Sequence, residues 1–490
     1  MCGILGILLS EKAKSGQIGP LAVDCLTALQ HRGTEGSGLV GSDGTLQNHF
    51  EIVKGHGLVR DVYTVENLAK FNDSMSLIGH NRYSTAGMKA AINCIQPFVL
   101  HTMVGLIGIA HNGELVNAGK KRSIVLREGI GLSTDTDSEL IGQMIAKTIA
   151  QNMKCRGSRE AGDISRELAA TMSAMDLSYS LLVMTYDRIY ALRDPFGNRP
   201  LCIGTLYTTS TVPNCGGTSE LPTIRIKNQL NESIGEPLGF IAASESCAFP
   251  AGTVFHSEVE PGEMVEISRK GIKSVWQMVP KIPAFCIFEY VYFARPDSHF
   301  EGQQVHTVRR ECGRILAIES HVEADIVSTV PDSAIAASIG YATESGIRYE
   351  QILQRNSYVG RSFIQPSNQL RLSSIIKKFG IDDSIVRGNT MAIIVRLLRD
   401  YGAKEVHLRI ASPPLRHPCY MGINIPSVNE LIAANRTVDE IAEKLGADSV
   451  AYLSIDGLKA AVQTSLRSTK SSIGHCIACL SNEYPVQIEF

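Results

Sequence analysis

The chain has 490 residues, enough for about two to four domains with sizeable cores, which excludes a miniprotein or a single small module. Hydrophobic residues make up 44% and charged residues 20%, the balance of a folded globular chain rather than a disordered one. Lys and Arg number 47 against 49 Asp and Glu, so the net charge of −2 provides no field for nucleic acid. No apolar run approaches the roughly 18 residues of a membrane span, and the opening residues lack a secretory pattern, so the expected location is cytoplasmic. The 12 cysteines are too dilute for a disulfide scaffold and are expected as thiols, metal ligands or nucleophiles.

Short β-rich runs at Ser76 to Gly79, Val104 to Ala110, Ser180 to Tyr186 and Ile189 to Arg193 alternate with turns. With helical patterns near Leu21 to Leu29 and Ser138 to Ala150, they predict an α+β first half with layered sheets. Thr208 to Pro237 is rich in Thr, Asn, Gly and Pro without periodicity and reads as a surface excursion, after which strand-like pieces resume at Gly239. Prolines from Pro280 to Pro283 precede an apolar aromatic run, Cys286 to Phe293, and a domain boundary is expected there. Beyond it, strand-like Ile326 to Val330 and Val406 to Ile410 alternate with helix-like Ala334 to Thr343 and Met391 to Tyr401, the pattern of a parallel α/β sheet. The expected domains are residues 2–265 and 282–465, with a tail at 466–490.

The chain opens Met1-Cys2-Gly3-Ile4, and a residue as small as Cys2 is compatible with removal of Met1. The thiol and a free α-amine would then share one residue, and an amine with a pKa of about 8 suits the base of a self-contained nucleophile. Alone, Cys2 could equally be a buried thiol that starts a strand. Four further segments follow: Gln30-His31-Arg32-Gly33, Gly79-His80-Asn81-Arg82-Tyr83-Ser84-Thr85, His111-Asn112-Gly113-Glu114 and Asp137-Ser138-Glu139. With Cys2 they resemble, in order and spacing, the N-terminal-nucleophile (Ntn) glutamine amidotransferases. Glutamine presents a carboxylate, an ammonium and a carboxamide. Arg82 suits the first as a bidentate clamp and Asp137 the second, while the Asn112 side chain and the Gly113 N–H suit an oxyanion hole.

In the second half, Asp382-Asp383-Ser384-Ile385-Val386-Arg387-Gly388-Asn389-Thr390 precedes a helical pattern whose N-terminus can cradle a phosphate. On its own this is also a turn and helix cap. The nine residues resemble the loop that binds phosphoribosyl pyrophosphate (PRPP) in type I phosphoribosyltransferases. Cys286 to Ser298, Val330 to Ser333, Tyr358 to Pro366 and Ala411 to Pro414 narrow the resemblance, over nearly the whole chain, to the amidophosphoribosyltransferases. That resemblance implies an Ntn αββα sandwich followed by an α/β phosphoribosyltransferase domain with a parallel sheet. It also implies PRPP binding by Asp382, Asp383, Ser384, Arg387, Gly388, Asn389, Thr390, Asp332, Ser333 and Arg361, and Mg²⁺ held near Ser298, Asp382 and Asp383. One departure is large. The family carries an apolar strand before its Asp-Asp pair, yet this chain reads Lys377-Lys378-Phe379-Gly380-Ile381, as if roughly a dozen residues were absent. Ser357, Gln369, Ser362, Ala334 and Thr34 are smaller departures.

Cys476-Ile477-Ala478-Cys479 lets two thiolates grip one centre, and by itself it fits a redox pair, half a zinc site or free thiols. By resemblance to the iron–sulfur subgroup, Cys247 and Cys419 complete a 4Fe-4S cluster, while Cys25, Cys94, Cys155, Cys202, Cys215, Cys286 and Cys312 read as ordinary small residues. The expected function is glutamine-dependent amination of PRPP to 5-phosphoribosylamine, opening purine synthesis, in a homo-oligomer (dimer or tetramer) inhibited by purine nucleotides. A deletion-impaired homologue keeping at most glutaminase activity is the alternative. A sugar-phosphate aminating amidotransferase would need sugar-isomerase repeats, which the sequence lacks.

Overall fold

The structure, a computed structural model, describes residues 1–13, 18–83, 92–152, 162–207, 236–353, 389–425, 427–464, 466 and 474–488. The chain divides into two compact units, Met1–Phe285 with Ser472–Gly474 and Ile488–Phe490, and Cys286–Ser471 with His475–Gln487.

Two antiparallel sheets build the first unit. One runs β11 (Thr253–Glu258), β9 (Cys202–Leu206), β10 (Gly239–Ala243), β1 (Gly3–Leu9), β4 (Ser76–Arg82), β2 (Gly36–Ser42) and β3 (Glu51–His56). The other runs β13 (Gly271–Gln277), β12 (Glu263–Ser268), β8 (Arg188–Arg193), β7 (Tyr179–Met184), β6 (Gly105–Gly113) and β5 (Phe98–Thr102). Every residue of β1 is buried, and its alternation explains why the run is apolar throughout. Ile4 and Leu8 join Ile78, Ala110, Leu182, Ile189 and Ala242 in a core shared by the two sheets. Leu5, Ile7 and Leu9 turn the other way, against Ala22, Cys25 and Leu26 of the helix Ile18–Ala28. On the far face of the second sheet, Ile109, Leu181 and Leu192 pack with Leu140, Ile141 and Ile145 of the helix Asp137–Asn152 and with Leu168 and Met172 of the helix Ser165–Ser173. The layers are helix, sheet, sheet and helix, the sandwich expected from the resemblance.

In the second unit the helices Val305–Glu319 and Ile335–Ser345 touch backbone to backbone. A Cβ on Gly313 would lie 1.8 Å from the Ala337 carbonyl oxygen and one on Gly340 would lie 1.9 Å from that of Arg310, so both positions require glycine. His407–Ile410 pairs in parallel with Ser449–Tyr452. The helix Asn389–Asp400 buries Met391 and Ile394 in one core with Ile410, Ile441, Leu445 and Val450.

The expected strand at Ile326 to Val330 does not form. Val327 makes only an isolated bridge to Tyr349, and the run instead lines an open cavity of about 290 Å³ with Leu316, Tyr341, Leu353, Met391 and Ile410. Ile326, Val327 and Val330 are half-buried and only Thr329 is buried, and among the described residues the run has no neighbour to complete a ladder. The anomalous stretch Lys377 to Ile381 and nearly all of the expected surface excursion lie outside the described residues.

Candidate active site

The site is assembled in the first unit from the ends of the neighbouring strands β1 and β4 of one sheet and of β6 in the other sheet. Cys2 precedes β1 and is 9% exposed. Its Sγ lies 3.4 Å from the Tyr83 backbone nitrogen, which donates to it, and 3.5 Å from the Tyr83 carbonyl, at the end of β4. The Cys2 carbonyl accepts Arg32 Nε at 2.9 Å, and the Cys2 backbone nitrogen donates to Asn112 Oδ1, near the end of β6, at 3.1 Å. Met1 is buried and its thioether touches Arg199 Nη1.

The bond from the Cys2 nitrogen fixes how the Asn112 amide is turned. With Oδ1 engaged, Nδ2 is a buried donor with no hydrogen-bond partner among the described residues. Such a donor costs about 1–3 kcal/mol to bury, a cost that an arriving acceptor would relieve. Gly113 follows at φ 144°, and a Cβ there would lie 2.1 Å from the Ser178 carbonyl oxygen, so only glycine keeps the strand end in place.

Charge around the thiol is arranged in opposing pairs. Burial pushes the Cys2 thiol up, while the terminal ammonium, the Tyr83 N–H and the Arg82 guanidinium pull it down and the Asp137 carboxylate raises it. Arg82 and Asp137 therefore both act on the sulfur from nearby, one as cation and one as anion. Asp137 opens its helix with Oδ2 accepting the Leu115 N–H at 2.7 Å, whereas among the described residues Oδ1 has only Ser138 Oγ at 3.4 Å and His111 Nδ1 at 3.8 Å. One carboxylate oxygen is engaged by the backbone and the other is available to an ammonium.

No family model matches the chain. A curated amidophosphoribosyltransferase of Mus musculus is 46% identical, covering 100% of this chain and 98% of that protein. The chain belongs to the amidophosphoribosyltransferase family.

The alignment with the mouse relative spans 528 positions, more than the 490 residues available here, so the chain lacks segments that the relative has. A solved structure described as the allosteric regulatory enzyme of purine biosynthesis matches with TM-score 0.79 and 36% identity, covering 100% of this chain and 97% of that one. The glutamine PRPP amidotransferase of B. subtilis, complexed with ADP and GMP, matches with TM-score 0.78 and 35% identity, covering 100% and 98%. As a family member, the chain is a pentosyltransferase with glutamine amidotransferase activity, placed in purine biosynthesis.

In this amidophosphoribosyltransferase the second-unit residues expected to bind PRPP are only partly described. Ser298 is fully buried, its N–H donating to the Arg295 carbonyl at 3.1 Å. Asp332 is exposed and Ser333 half-buried just before the helix Ile335–Ser345, and Asn389 and Thr390 open the helix Asn389–Asp400. Asp382, Asp383, Ser384, Arg387, Gly388 and Arg361 lie outside the described residues.

Three of the proposed cluster cysteines gather within the second unit. Cys419 Sγ accepts the Met421 N–H at 3.4 Å, Cys476 Sγ lies 3.8 Å from Met421 Sδ, and the Cys479 carbonyl accepts the N–H groups of Arg416 and His417 at 3.1 Å. Burial pushes the Cys479 thiol up, and charge at Cys419, Cys286 and Cys476 pushes it further. Cys286, a buried thiol, is a neighbour of this group. The Ile287 N–H bonds the Cys476 carbonyl at 3.3 Å, a pairing between chain segments too remote for any spacing to reveal. Cys247 belongs to the first unit, half-buried, with Sγ 3.6 Å from Glu245 Oε2. Arg32 and Glu245 are further residues at the site that the sequence reading left without a role, although Arg32 lies in a segment it singled out.

Proposed function

We propose that Cys2 is the nucleophile that releases ammonia from glutamine, and that the ammonia displaces pyrophosphate from C1 of PRPP to give 5-phosphoribosylamine. The observation that carries this reading is the unpartnered Asn112 Nδ2, held beside the Cys2 thiol by the bond its own Oδ1 makes. The Cys2 sulfur adds to the carboxamide carbon, and the resulting oxyanion takes hydrogen bonds from Asn112 Nδ2 and the Gly113 N–H. Arg82 holds the substrate carboxylate and Asp137 Oδ1 its ammonium. Once Met1 is removed, the α-amine of Cys2 takes the thiol proton and returns it to the departing ammonia, and water then hydrolyses the thioester to glutamate. The test is Cys2→Ala assayed with both nitrogen donors. Glutamine use should vanish while ammonium-dependent synthesis keeps the level of the parent, and undiminished glutaminase activity would exclude the assignment.

Cys247, Cys419, Cys476 and Cys479 are the proposed ligands of a 4Fe-4S cluster. Cys419 and Cys476 both lie against Met421, which supports a shared centre for them. The Met421 N–H on the Cys419 sulfur is also a donor suited to a ligating thiolate. Such a cluster would tie down the C-terminal segment. Asp382 and Asp383 with Ser298 are the proposed Mg²⁺ and ribose residues, with Asp332, Ser333, Arg361, Ser384, Arg387, Gly388, Asn389 and Thr390 for the phosphates. Purine nucleotides are the proposed inhibitors, in line with the ADP and GMP held by the B. subtilis relative, and the chain is proposed to act as a homo-oligomer in the cytoplasm.

A second reading is an impaired enzyme, favoured by the Lys377 to Ile381 stretch and by an alignment longer than the chain. PRPP turnover with ammonium as donor separates the two readings.

A further inference from the structure

A buried carboxylate behind the nucleophile connects it to the turn that carries Cys247. Glu245 is fully buried and precedes the short helical turn Ser246–Ala248. Its Oε1 accepts Arg32 Nη1 and lies 2.7 Å from His31 Nε2, and its Oε2 lies 3.6 Å from Cys247 Sγ. Arg32, 1% exposed, donates its Nε to the Cys2 carbonyl at 2.9 Å. The contacts therefore run in series from Cys247 through Glu245 and Arg32 to the main chain of Cys2. The turn that carries Arg32 has little room to move sideways, because a Cβ on Gly33 would lie 2.5 Å from the carbonyl carbon and oxygen of Arg82. His31, Glu245 and Cys247 hold ligand atoms within 4.8 Å of one another, but the Arg32 guanidinium already occupies the carboxylate, which argues against a cation there.

A guanidinium buried without its carboxylate is strongly unfavourable, so the position of Arg32 follows that of Glu245. The Cys2 carbonyl follows Arg32 in turn. An ångström of displacement at a reacting atom can cost about 100-fold in rate, and the Cys2 sulfur must meet a carbonyl carbon whose oxygen reaches Asn112 Nδ2. We propose that Glu245 is a positioning residue for Cys2, acting through Arg32. This rests on Cys2 being the nucleophile.

The experiment uses the full chain with its iron content measured. Glu245→Gln keeps the shape and removes the charge. Glutaminase kcat should fall about 10- to 100-fold, with KM for glutamine within about twofold because Arg82 and Asp137 are untouched. The rate of Cys2 alkylation by iodoacetamide, followed by peptide mass spectrometry, should fall in parallel. Arg32→Lys, which cannot hold Glu245 and the Cys2 carbonyl together, should do the same. Parent-like kcat and alkylation in Glu245→Gln would overturn the proposal. If neither variant folds, Glu245→Asp keeps the charge but falls one methylene short of Arg32, and parent-like kcat and Cys2 alkylation in it overturn the proposal. Undiminished glutamine use by Cys2→Ala would instead remove the nucleophile assignment itself.

Discussion

A single amide carries two roles at the centre of the site. Asn112 bonds the Cys2 nitrogen through Oδ1 and, on the proposed mechanism, turns Nδ2 to the place where charge develops, so its removal should affect the transition state far more than ground-state binding. Asn112→Ala is expected to lower glutaminase kcat about 10²- to 10³-fold while ammonium-dependent synthesis stays at the parent level, as a two-donor kinetic comparison would reveal. His80 makes a different contribution. Burial holds its imidazole well below the usual histidine range, and the charges of Arg82, His111 and Lys54 push the same way. Below pH about 6.5 the unfolded chain takes up a proton that the folded one refuses, so stability falls as the pH drops through that window towards the depressed folded value. His80→Leu should flatten this acid-side loss in melting curves recorded between about pH 5 and 7. An unchanged slope would assign the acid sensitivity to other groups.

At the level of elements, the residues proposed for glutamine were legible because they sit at strand ends whose patterns are short and local. Cys2 with β1, Arg82 with β4, Asn112 and Gly113 with β6, and Asp137 at a helix start each declare themselves within a few residues. The Arg32–Glu245 pair was not legible, because it joins positions 213 apart and no local pattern encodes a partner that distant. In the second unit, helical periodicity identified Ile335–Ser345 and Asn389–Asp400, but the apolar run at Ile326 to Val330 misled. Burial gives strand-like composition to any segment lining a core, and only pairing makes it a strand. The cavity beside it, about 290 Å³ among apolar side chains, is of a size that an added strand would help fill. Inserting a turn plus a strand such as Lys-Arg-Val-Val-Leu-Val before Asp382 should therefore raise both the melting temperature and PRPP-dependent turnover. Equal turnover by the chain as it stands would show that no strand is wanting.

Across the whole molecule, the cysteines divide by role rather than by number. Those at 25, 202 and 312 are buried thiols whose pKa values burial pushes up, to about 12 for Cys25 and Cys312, which suits inert packing. The gathering of Cys419, Cys476 and Cys479 predicts anaerobically purified protein that is brown and carries about four irons per chain. Cys419→Ser should lower both the iron content and the melting temperature. Stoichiometric zinc without iron would refute the cluster.

The place of β1 sets a timetable for synthesis. It is the fourth of seven strands in its sheet, and its hydrogen-bonded neighbour β10 ends at Ala243. At roughly 5–20 residues per second, a ribosome needs about 10 to 50 s to reach that residue. Until then the first strand has only one flank, and Met1, buried in the finished fold, is still within reach of an aminopeptidase. On the proposed mechanism, removal of Met1 has to come before this closure, and a chain that folds uncut would keep the proposed nucleophile capped.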